Sequence, residues 1–326
     1  MPRLAQGIRV FKQGKSKSWM AGTSPGMTNE RERIVAHPQI GRVVFWMTGA
    51  LLSFSASAIA IRGMAGKFNV FEILVVRSAF GCAVMLTIAL TQPNMRRQLT
   101  WRRFPLHVFR NSVHFTGQYT WALAVTLLPL ATVFSLEFTM PMWVALLAIP
   151  LLGERMTVSR AGSVVLGFLG VLVIVRPGMS SFQPAALLVL FAALAFSLSL
   201  IATKKLTHDV STFVIIFWMN VMQLPMALAG SDPLFFLRFD EHTIIPALLF
   251  GVVGLTSHYC LTNAFRAGDA SLVVPIDFMR IPLIALVGWF FYNESVDVFV
   301  FIGAGLIVCG VLWNLRAESR RVPSPE

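Results

Sequence analysis

Ten long apolar stretches recur along this 326-residue chain and constrain its fold more than any other feature. Each approaches the ~20 residues that an α-helix needs to cross ~30 Å of hydrocarbon. The connections between them are short, so no soluble domain is inserted. We predict spans over residues 43–62, 71–91, 105–127, 131–152, 159–176, 184–203, 213–230, 243–264, 271–291 and 297–315.

The composition also indicates a membrane protein. Hydrophobic residues make up 56% of the chain and charged residues 13%, about half the charged share of a soluble domain. So few charges cannot cover a water-soluble surface, which excludes an ordinary cytosolic enzyme and a disordered chain. Cys82, Cys260 and Cys309 all lie in apolar runs, without disulfide or metal spacing. The predicted fold class is all-α, a polytopic membrane protein with ten transmembrane helices.

The net charge of +12 is distributed asymmetrically between the connections. With a cytoplasmic N terminus, 20 of the 27 Lys and Arg residues lie in inside segments and four in outside segments. Cytoplasmic loops are enriched in Lys and Arg, so we expect both termini inside and a cell inner (plasma) membrane location. The basic charge is then a topology signal, and no nucleic-acid partner is expected.

The N-terminal segment before the first span is basic, and residues 1–29 contain no acidic residue. This composition is similar to that of a transit peptide. A disordered cytoplasmic tail, or a true start at Met27, explains it more simply. We therefore assign residues 1–42 as a basic, disordered cytoplasmic tail and residues 316–326 as a second cytoplasmic tail.

The two halves of the chain align with a nearly constant shift of about 140 residues. Under that shift the segment 54–57 (FSAS) aligns with 196–199 (FSLS), and Glu137 aligns with Asp277. Each half contains five predicted spans. Because five is odd, the second half enters the membrane from the opposite side, which predicts two inverted repeats over 43–176 and 184–315.

Both repeats end on a pattern that resembles a known domain. The run PMWVALLAIPLLGE (141–154), followed by GSVVLGFLGVLVIVRPG (162–178), resembles the end of an EamA domain, and FEILVVRSAFG (71–81) resembles the family's second helix. The second copy, IPLIALVGWFFYNE (281–294) and GAGLIVCGVLWN (303–314), matches more loosely, since Asn293 replaces a glycine. Over roughly 43–315 the chain is thus similar to tandem EamA transporters of the drug/metabolite transporter (DMT) superfamily. The resemblance implies ten helices in the inner membrane and transport of metabolites, amino acids or S-adenosylmethionine.

Charged side chains within the spans are the candidate substrate-binding or gating residues. A charge at mid-bilayer costs at least ~2.5–3.5 kcal/mol, so such residues are paired or line a cavity. The candidates are Glu137, Asp277, Arg77, Arg280 and Arg110, with His258 and His114 as milder polar residues.

Helix depth predicts how these groups are arranged. Glu137 and Arg77 each lie about six residues into helices that begin outside, so both are ~9 Å deep and can pair. Asp277 lies at a similar depth from the inside, near Arg110 and His258. These positions predict two mirror-related gates. The alternatives are a static ion pair, a local Asp277–Arg280 bridge, an Arg110 that extends to lipid headgroups, and packing histidines.

Three prolines lie near the predicted gates. Pro141 follows Glu137 by four residues, and Pro275 and Pro282 flank Asp277. Because proline removes a backbone donor and clashes with the preceding turn, we predict kinks there in helices four and nine. A purely structural kink is the alternative.

Glu154 and Glu294, at helix ends, are expected to cap helices or contact loops.

The sequence contains no P-loop, GxGxxG or HExxH motif, so ATP-driven transport and zinc proteolysis are not indicated. We predict a secondary active transporter of a zwitterionic or amphipathic metabolite. No cofactor or metal is expected, and the carboxylates and histidines would permit proton coupling. The expected partners are a small-molecule substrate and the lipid bilayer, with the chain as monomer or homodimer. An intramembrane enzyme and a channel without active coupling remain the alternatives.

Overall fold

The structure, a computed structural model, describes residues 40–152, 156–179, 182–207, 209–267, 273, 276–295 and 297–319. This part of the chain is helical and contains no strand, which confirms the predicted all-α class. The tail before residue 40 lies outside it. The helices are α1 (Ile40–Ala65), α2 (Val70–Thr91), α3 (Pro93–Arg96), α4 (Phe104–Leu127), α5 (Leu130–Glu137), α6 (Met140–Leu152), α7 (Val158–Val175), α8 (Ala186–Thr207), α9 (Thr212–Leu228), α10 (Glu241–Ala267), α11 (Arg280–Tyr292) and α12 (Val298–Ser319), with a 3-10 turn at Phe235–Arg238.

Seven helical segments in the described residues are long and apolar enough to cross a membrane, with α5 and α6 together forming one of them. Helices α9 and α11 are apolar but shorter. Helix α4 has 24 residues, and its buried face carries Arg110, Asn111, His114 and Gln118, which lower its hydropathy. The described residues of each predicted span are largely helical, and the helices are interrupted within the described parts of 131–152 and 271–291.

The outer surface of the bundle is apolar. Leu90, Val158 and Phe290 are each more than 70% exposed. Contiguous apolar surface of this kind is unfavourable in water and is the normal lipid-facing surface of a transmembrane bundle. The chain is therefore a multi-pass membrane protein.

The helix contacts pair elements from the two halves of the chain. Helix α1 packs on α10 and α4 packs on α8, while α2 contacts α9, α5 contacts α11 and α7 contacts α12. These contacts are symmetric between the halves. The first span of each half packs on the third span of the other, and the second, fourth and fifth spans each pack on their own counterpart. The packing therefore has the pattern that a twofold relationship between the halves requires.

Glycine allows the closest of these approaches. A Cβ on Gly170 of α7 would lie 2.6 Å from the carbonyl oxygen of Gly303 of α12. Small residues let transmembrane helices approach until their backbones touch, which increases van der Waals contact where lipid provides no hydrophobic driving force. This contact joins the last span of each half.

Polar contacts between connections define two ends of the bundle. End I holds residues 66–69, 128–129, 176–179, 229–240, 293–295 and 297 of the connections. Ion pairs there join Arg62 to Glu294, Lys67 to Asp240, Arg238 to Glu72 and Arg176 to Asp297. At end II, which holds connections 92–103 and 209–211, Arg102 and Arg103 both pair with Asp209 at 2.8 Å. Within the described chain, the successive connections 66–69, 92–103 and 128–129 alternate between the ends, and so do 176–179, 209–211 and 229–240, as expected of helices that each traverse the bundle.

Local sequence explains two of the contacts at end I. Asn69 and Glu72 form a capping box at the start of α2, where each side chain accepts the other's backbone N–H. Across this end, a hydrogen bond from Lys67 at 2.6 Å, together with one from Thr243, lowers the pKa of Asp240 well below its ordinary value. End I is therefore ordered by side chains that the short connections present.

Candidate functional site

Two helix interruptions lie deep in the bundle, one in each half. Helix α5 ends at Glu137 and α6 begins at Met140, with Pro141 in its first turn. Proline at position 141 cannot donate to the Glu137 carbonyl, so one hydrogen bond of a continuous helix is missing at the interruption. Helix α11 begins at Arg280, directly after a turn, and contains Pro282 in its first turn. The third predicted proline, Pro275, lies outside the described residues.

One arginine between the interruptions is shared by an acid from each half. Arg280 donates through Nη2 to both carboxylate oxygens of Asp277, at 2.7 and 2.6 Å. Its Nη1 lies 3.4 Å from Oε1 of Glu137. The other carboxylate oxygen of Glu137 accepts a 2.8 Å hydrogen bond from Nε1 of Trp121. We name Glu137, Asp277 and Arg280 the acid–arginine cluster; it has one carboxylate more than it has cations.

Aromatic rings enclose the Arg280 guanidinium. Its Cζ lies 4.3 Å from the centroid of Phe54, 5.1 Å from that of Phe138 and 5.8 Å from that of Phe134. Arg280 is 5% exposed, and its buried Nε makes no hydrogen bond within the described structure. Cation–π contacts and low surrounding polarity strengthen the interaction between this charge and the two acids.

This arrangement differs from the two separate gates that helix depth predicts. Arg77 is not a partner of Glu137 within the described structure, since Glu137 contacts Trp121 and Arg280 instead. The depth argument treats helices four and nine as continuous rods entering from opposite faces. Both are interrupted at the acids, and the long side chain of Arg280 bridges the remaining separation.

A second group of buried polar residues lies on α2 and α4. Arg110 donates from Nε to Thr203 Oγ1 at 3.1 Å and from Nη1 to Asn111 Oδ1 at 2.7 Å. His114 Nδ1 lies 2.9 Å from the Gln223 side-chain amide nitrogen. All of these partners are neutral. We name Arg77, Arg110 and His114 the cationic cluster.

Arg77 is the least satisfied member of the cationic cluster. It is 8% exposed, and in the described part of the chain it makes neither a hydrogen bond nor an ion pair. It packs against α10 where Gly254 leaves space, since a Cβ there would lie 2.9 Å from Arg77 Nε. Helix α2, which carries Arg77, contacts α4, where Arg110 is a second buried cation.

His258 connects the two clusters. Its ring packs edge-on against Phe54, with centroids 6.1 Å apart, and Phe54 in turn contacts Arg280. One turn before His258 on the same helix, Gly254 packs against Arg77 of the cationic cluster. The seven residues that the sequence predicts therefore fall into two clusters of three, with His258 between them.

A further charged group lies at end I. Glu294 accepts from Arg62 and from the backbone N–H of Leu130 at 2.9 Å, so it also caps the start of α5. Arg62 additionally donates to the carbonyls of Val125 and Leu128, and its guanidinium lies 4.6 Å from the Tyr292 ring centroid. We name the Arg62–Glu294 pair and its backbone contacts the end I latch. It lines a surface depression of about 470 Å³.

Sequence reasoning missed Arg62, Gln223 and the specific role of Trp121. In the sequence, Arg62 resembles an ordinary charged residue of a loop, because its partner Glu294 lies 232 positions away. Gln223 is an uncharged polar residue in a largely apolar helix. Glu154, the repeat counterpart of Glu294, lies outside the described residues.

Among the described residues, no group of three or more His, Cys, Asp or Glu side chains could hold a metal ion.

Comparison with known proteins identifies a transporter family. The profile of the EamA-like transporter family matches residues 41–176 and 183–316, one match in each half of the chain. Together the two matches cover most of the sequence and place the clusters within matched segments.

Characterised relatives match over most of their own length. A riboflavin transporter of Rhizobium johnstonii is 31% identical, over 71% of this chain and 75% of that protein. An S-adenosylmethionine uptake transporter of Rickettsia prowazekii is 23% identical, over 86% of this chain and 95% of that protein. A riboflavin transporter of Brucella anthropi is 26% identical, over 84% and 98% respectively.

The fold has also been observed by experiment. A crystal structure aligns with this one at a TM-score of 0.57, with 18% sequence identity, over 87% of this chain and 99% of that chain. At this level of identity the similarity establishes the shared fold.

Proposed function

This chain belongs to the EamA-like transporter family, and from that premise we propose that it is a secondary active transporter moving a small organic metabolite across a bacterial inner membrane by alternating access. The observation that carries the proposal is the acid–arginine cluster, in which acids from the two halves share one buried arginine at two helix interruptions. Interrupted helices near the midplane are typical of transporter binding sites.

The energetics of burial favour a functional cluster. Each charge within a bilayer costs at least ~2.5–3.5 kcal/mol, and three charges are collected here. Replacing a buried ion pair with apolar side chains is often neutral or stabilising, so packing alone does not require it. A cluster that forms and breaks during transport supplies a reason for the charges.

The symmetry of the helix contacts supports alternating access. Two inverted five-span repeats can exchange conformations, which gives two states of similar energy, each open to one side. The exchange-related pairs α1–α10 and α4–α8 are the contacts expected of such a bundle. The Lys and Arg distribution supports an orientation with end II in the cytoplasm and end I outside.

The end I latch then marks a conformation closed to the outside. Arg62 and Glu294 join the ends of α1 and α11 with the α4–α5 connection. Opening this end requires the ion pair and the backbone contacts to break. The surface depression lined by the latch is the expected entry vestibule.

The substrate class follows from the charges and rings of the site. Excess negative charge at Glu137 and Asp277, and positive charge at Arg77 and Arg110, fit a zwitterionic or amphipathic solute. Relatives that transport riboflavin or S-adenosylmethionine carry solutes with planar rings, and the rings of Phe54, Trp121 and Phe138 could stack on one. An amino acid or S-adenosylmethionine fits these features.

A cationic group of the solute, or a proton, would act by competing with Arg280. Either would neutralise a carboxylate and weaken the bond between α5 and α11. The interruptions at Glu137 and Arg280 could then move relative to one another. Proton coupling through the carboxylates or His258 is part of this proposal.

The test is flux in proteoliposomes. A metabolite screen by thermal stabilisation first identifies candidate solutes, because a ligand of the native state raises its melting temperature. Uptake of a radiolabelled hit should saturate with concentration and accelerate when unlabelled solute is present on the opposite side. Flux that rises linearly without such exchange would indicate a channel, and recovery of a chemically altered solute would indicate an enzyme.

A further inference from the structure

The cationic cluster has no acidic counterpart in the described structure. Arg110 bonds through Nε and Nη1 to the neutral oxygens of Thr203 and Asn111. Arg77 is more than nine-tenths buried and has no hydrogen bond or ion pair with any described residue. Arginines buried among transmembrane helices normally pair with a carboxylate or a carbonyl. Two neighbouring ones without such a partner leave a strong unmet preference for an anion.

The other polar residues nearby do not meet this preference. Glu137 and Asp277 are both bonded to Arg280. The amide of Gln223 is bonded to His114. A negatively charged partner for Arg77 would therefore come from outside the described chain.

We propose that Arg77 and Arg110 bind the carboxylate or phosphate group of the transported solute. This proposal rests on the proposed transport function and specifies one pole of its substrate. It requires an anionic solute group, which distinguishes the substrate from a purely cationic or neutral metabolite.

The available donors suit such a group. The three guanidinium nitrogens of Arg77 and Nη2 of Arg110 make no hydrogen bond to described residues, while Thr203 and Asn111 hold the Arg110 side chain in place. Planar guanidinium groups bind carboxylate and phosphate oxygens in a bidentate manner. Held on α2 and α4, the two side chains offer donors from two helices to one anion.

The remainder of the site is consistent with this polarity. His258 lies between the two clusters, and the acid–arginine cluster has one carboxylate more than it has cations. A solute that places its anion at Arg77 would direct its other end towards Phe54 and the two acids. The same arrangement disfavours binding in the reverse orientation.

The experiment compares anion-dependent thermal unfolding of the purified, detergent-solubilised protein with that of Arg77→Gln and Arg110→Gln. The probes are citrate and inorganic phosphate, titrated at constant ionic strength against chloride. Kosmotropic anions stabilise proteins non-specifically, so the readout is the difference between wild type and variant. Arg97→Gln is the matched control, because Arg97 is exposed and lies away from the cluster.

The proposal predicts a saturable rise in melting temperature with at least one probe in the wild type and in Arg97→Gln. This rise should be lost in both cluster variants. Without any probe, Arg77→Gln should unfold at the same or a higher temperature, because it removes a buried charge that has no partner. Arg77→Lys should keep a weakened response, since its ammonium retains the charge but not the bidentate geometry.

Two results would overturn the proposal: no saturable response in the wild type, or equal responses in wild type and Arg77→Gln. A lower ligand-free melting temperature in Arg77→Gln together with an unchanged anion response would show that Arg77 has a packing role. The proposed transport function can be contradicted independently of the anion site. If saturable flux survives Arg77→Gln, the anion site is contradicted and the transport function is not. If the anion response depends on Arg77 but no flux is measured, the transport function is contradicted and anion binding is not.

Discussion

Nη1 of Arg280 lies 3.4 Å from Oε1 of Glu137, so the first turn of α11 is bonded to the last turn of α5 across the centre of the bundle. The same guanidinium binds Asp277 through both carboxylate oxygens. The two acids occupy corresponding positions in the two halves of the sequence. Their convergence on one arginine makes the cluster a contact between the repeats, whereas the predicted Glu137–Arg77 pair would lie within the first repeat.

Neutralising either acid should impair transport. Glu137→Gln and Asp277→Asn should each reduce the maximal uptake rate about ten-fold or more, equivalent to ~1.4 kcal/mol or more in the rate-limiting step. The physical reason is the loss of a carboxylate that competes for Arg280 and for a solute cation. Uptake into proteoliposomes, normalised to inserted protein, measures the effect. Glu241→Gln, a change at an exposed carboxylate, is the control; wild-type rates in both cluster variants would disprove the gating assignment.

Stability should depend on the cluster non-additively. Arg280→Met leaves two buried carboxylates without their cation and should cost ~3–5 kcal/mol, the usual cost of breaking a buried pair. Adding Asp277→Asn to Arg280→Met should recover part of that loss, because fewer unpaired charges remain. A double-mutant cycle from thermal or denaturant unfolding gives the coupling energy. Additive effects of the two substitutions would contradict the shared ion pair.

The end I latch should control access from the outside. Glu294→Gln removes the carboxylate that joins Arg62 to the backbone of Leu130, so the population open at this end should rise. A cysteine at Thr126, which lines the depression, reports this opening through labelling by a membrane-impermeant maleimide in a cysteine-free background.

The same labelling experiment has an internal control. Asp240→Asn breaks the exposed Lys67–Asp240 pair at the same end but away from the depression, and it should leave labelling of the Thr126 cysteine unchanged. Equal increases in the two variants would show that loosening of end I, not the latch, explains the result. No increase in Glu294→Gln would exclude the latch as a barrier.

The α7–α12 contact should tolerate no added side-chain atom at Gly170. Gly170→Ala places a Cβ 2.6 Å from the Gly303 carbonyl oxygen and from Ile307, so the helices must separate. We expect a loss of ~1–3 kcal/mol in the free energy of unfolding, as for overpacked cores. Gly305→Ala, with no atom within 4 Å of its added Cβ, should be neutral or slightly stabilising. Equal effects of the two substitutions would contradict this packing.

Hydropathy predicts most of the helical segments because lipid imposes a minimum length and an apolar surface on each span. The interruptions near Glu137 and Asp277 follow from Pro141 and Pro282, since proline restricts the backbone locally. The sequence also predicts the charged residues of the candidate site, because charges are rare in such helices.

Which side chains pair within the site depends on how the helices pack, and sequence periodicity does not determine that packing. Arg280 bonds to an acid 143 positions earlier, and Arg62 to one 232 positions later. Depth counting places Arg77 beside Glu137 because it assumes unbroken helices of known tilt. The isolation of Arg77 from acidic residues becomes visible only when α2, α4 and α10 are packed together.

The most direct test of the inverted repeats, on which the alternating-access proposal depends, is the sidedness of two corresponding connections. Gly66 lies after the first span of the first half and Ser211 after the first span of the second half; both are exposed. Single cysteines at these positions, in a cysteine-free chain in intact cells, are probed with a membrane-impermeant maleimide before and after permeabilisation. Inverted repeats predict that the cysteine at 66 is labelled from outside and the cysteine at 211 only after permeabilisation. Labelling of both from the same side would contradict the inverted repeats and, with them, the proposed transport mechanism.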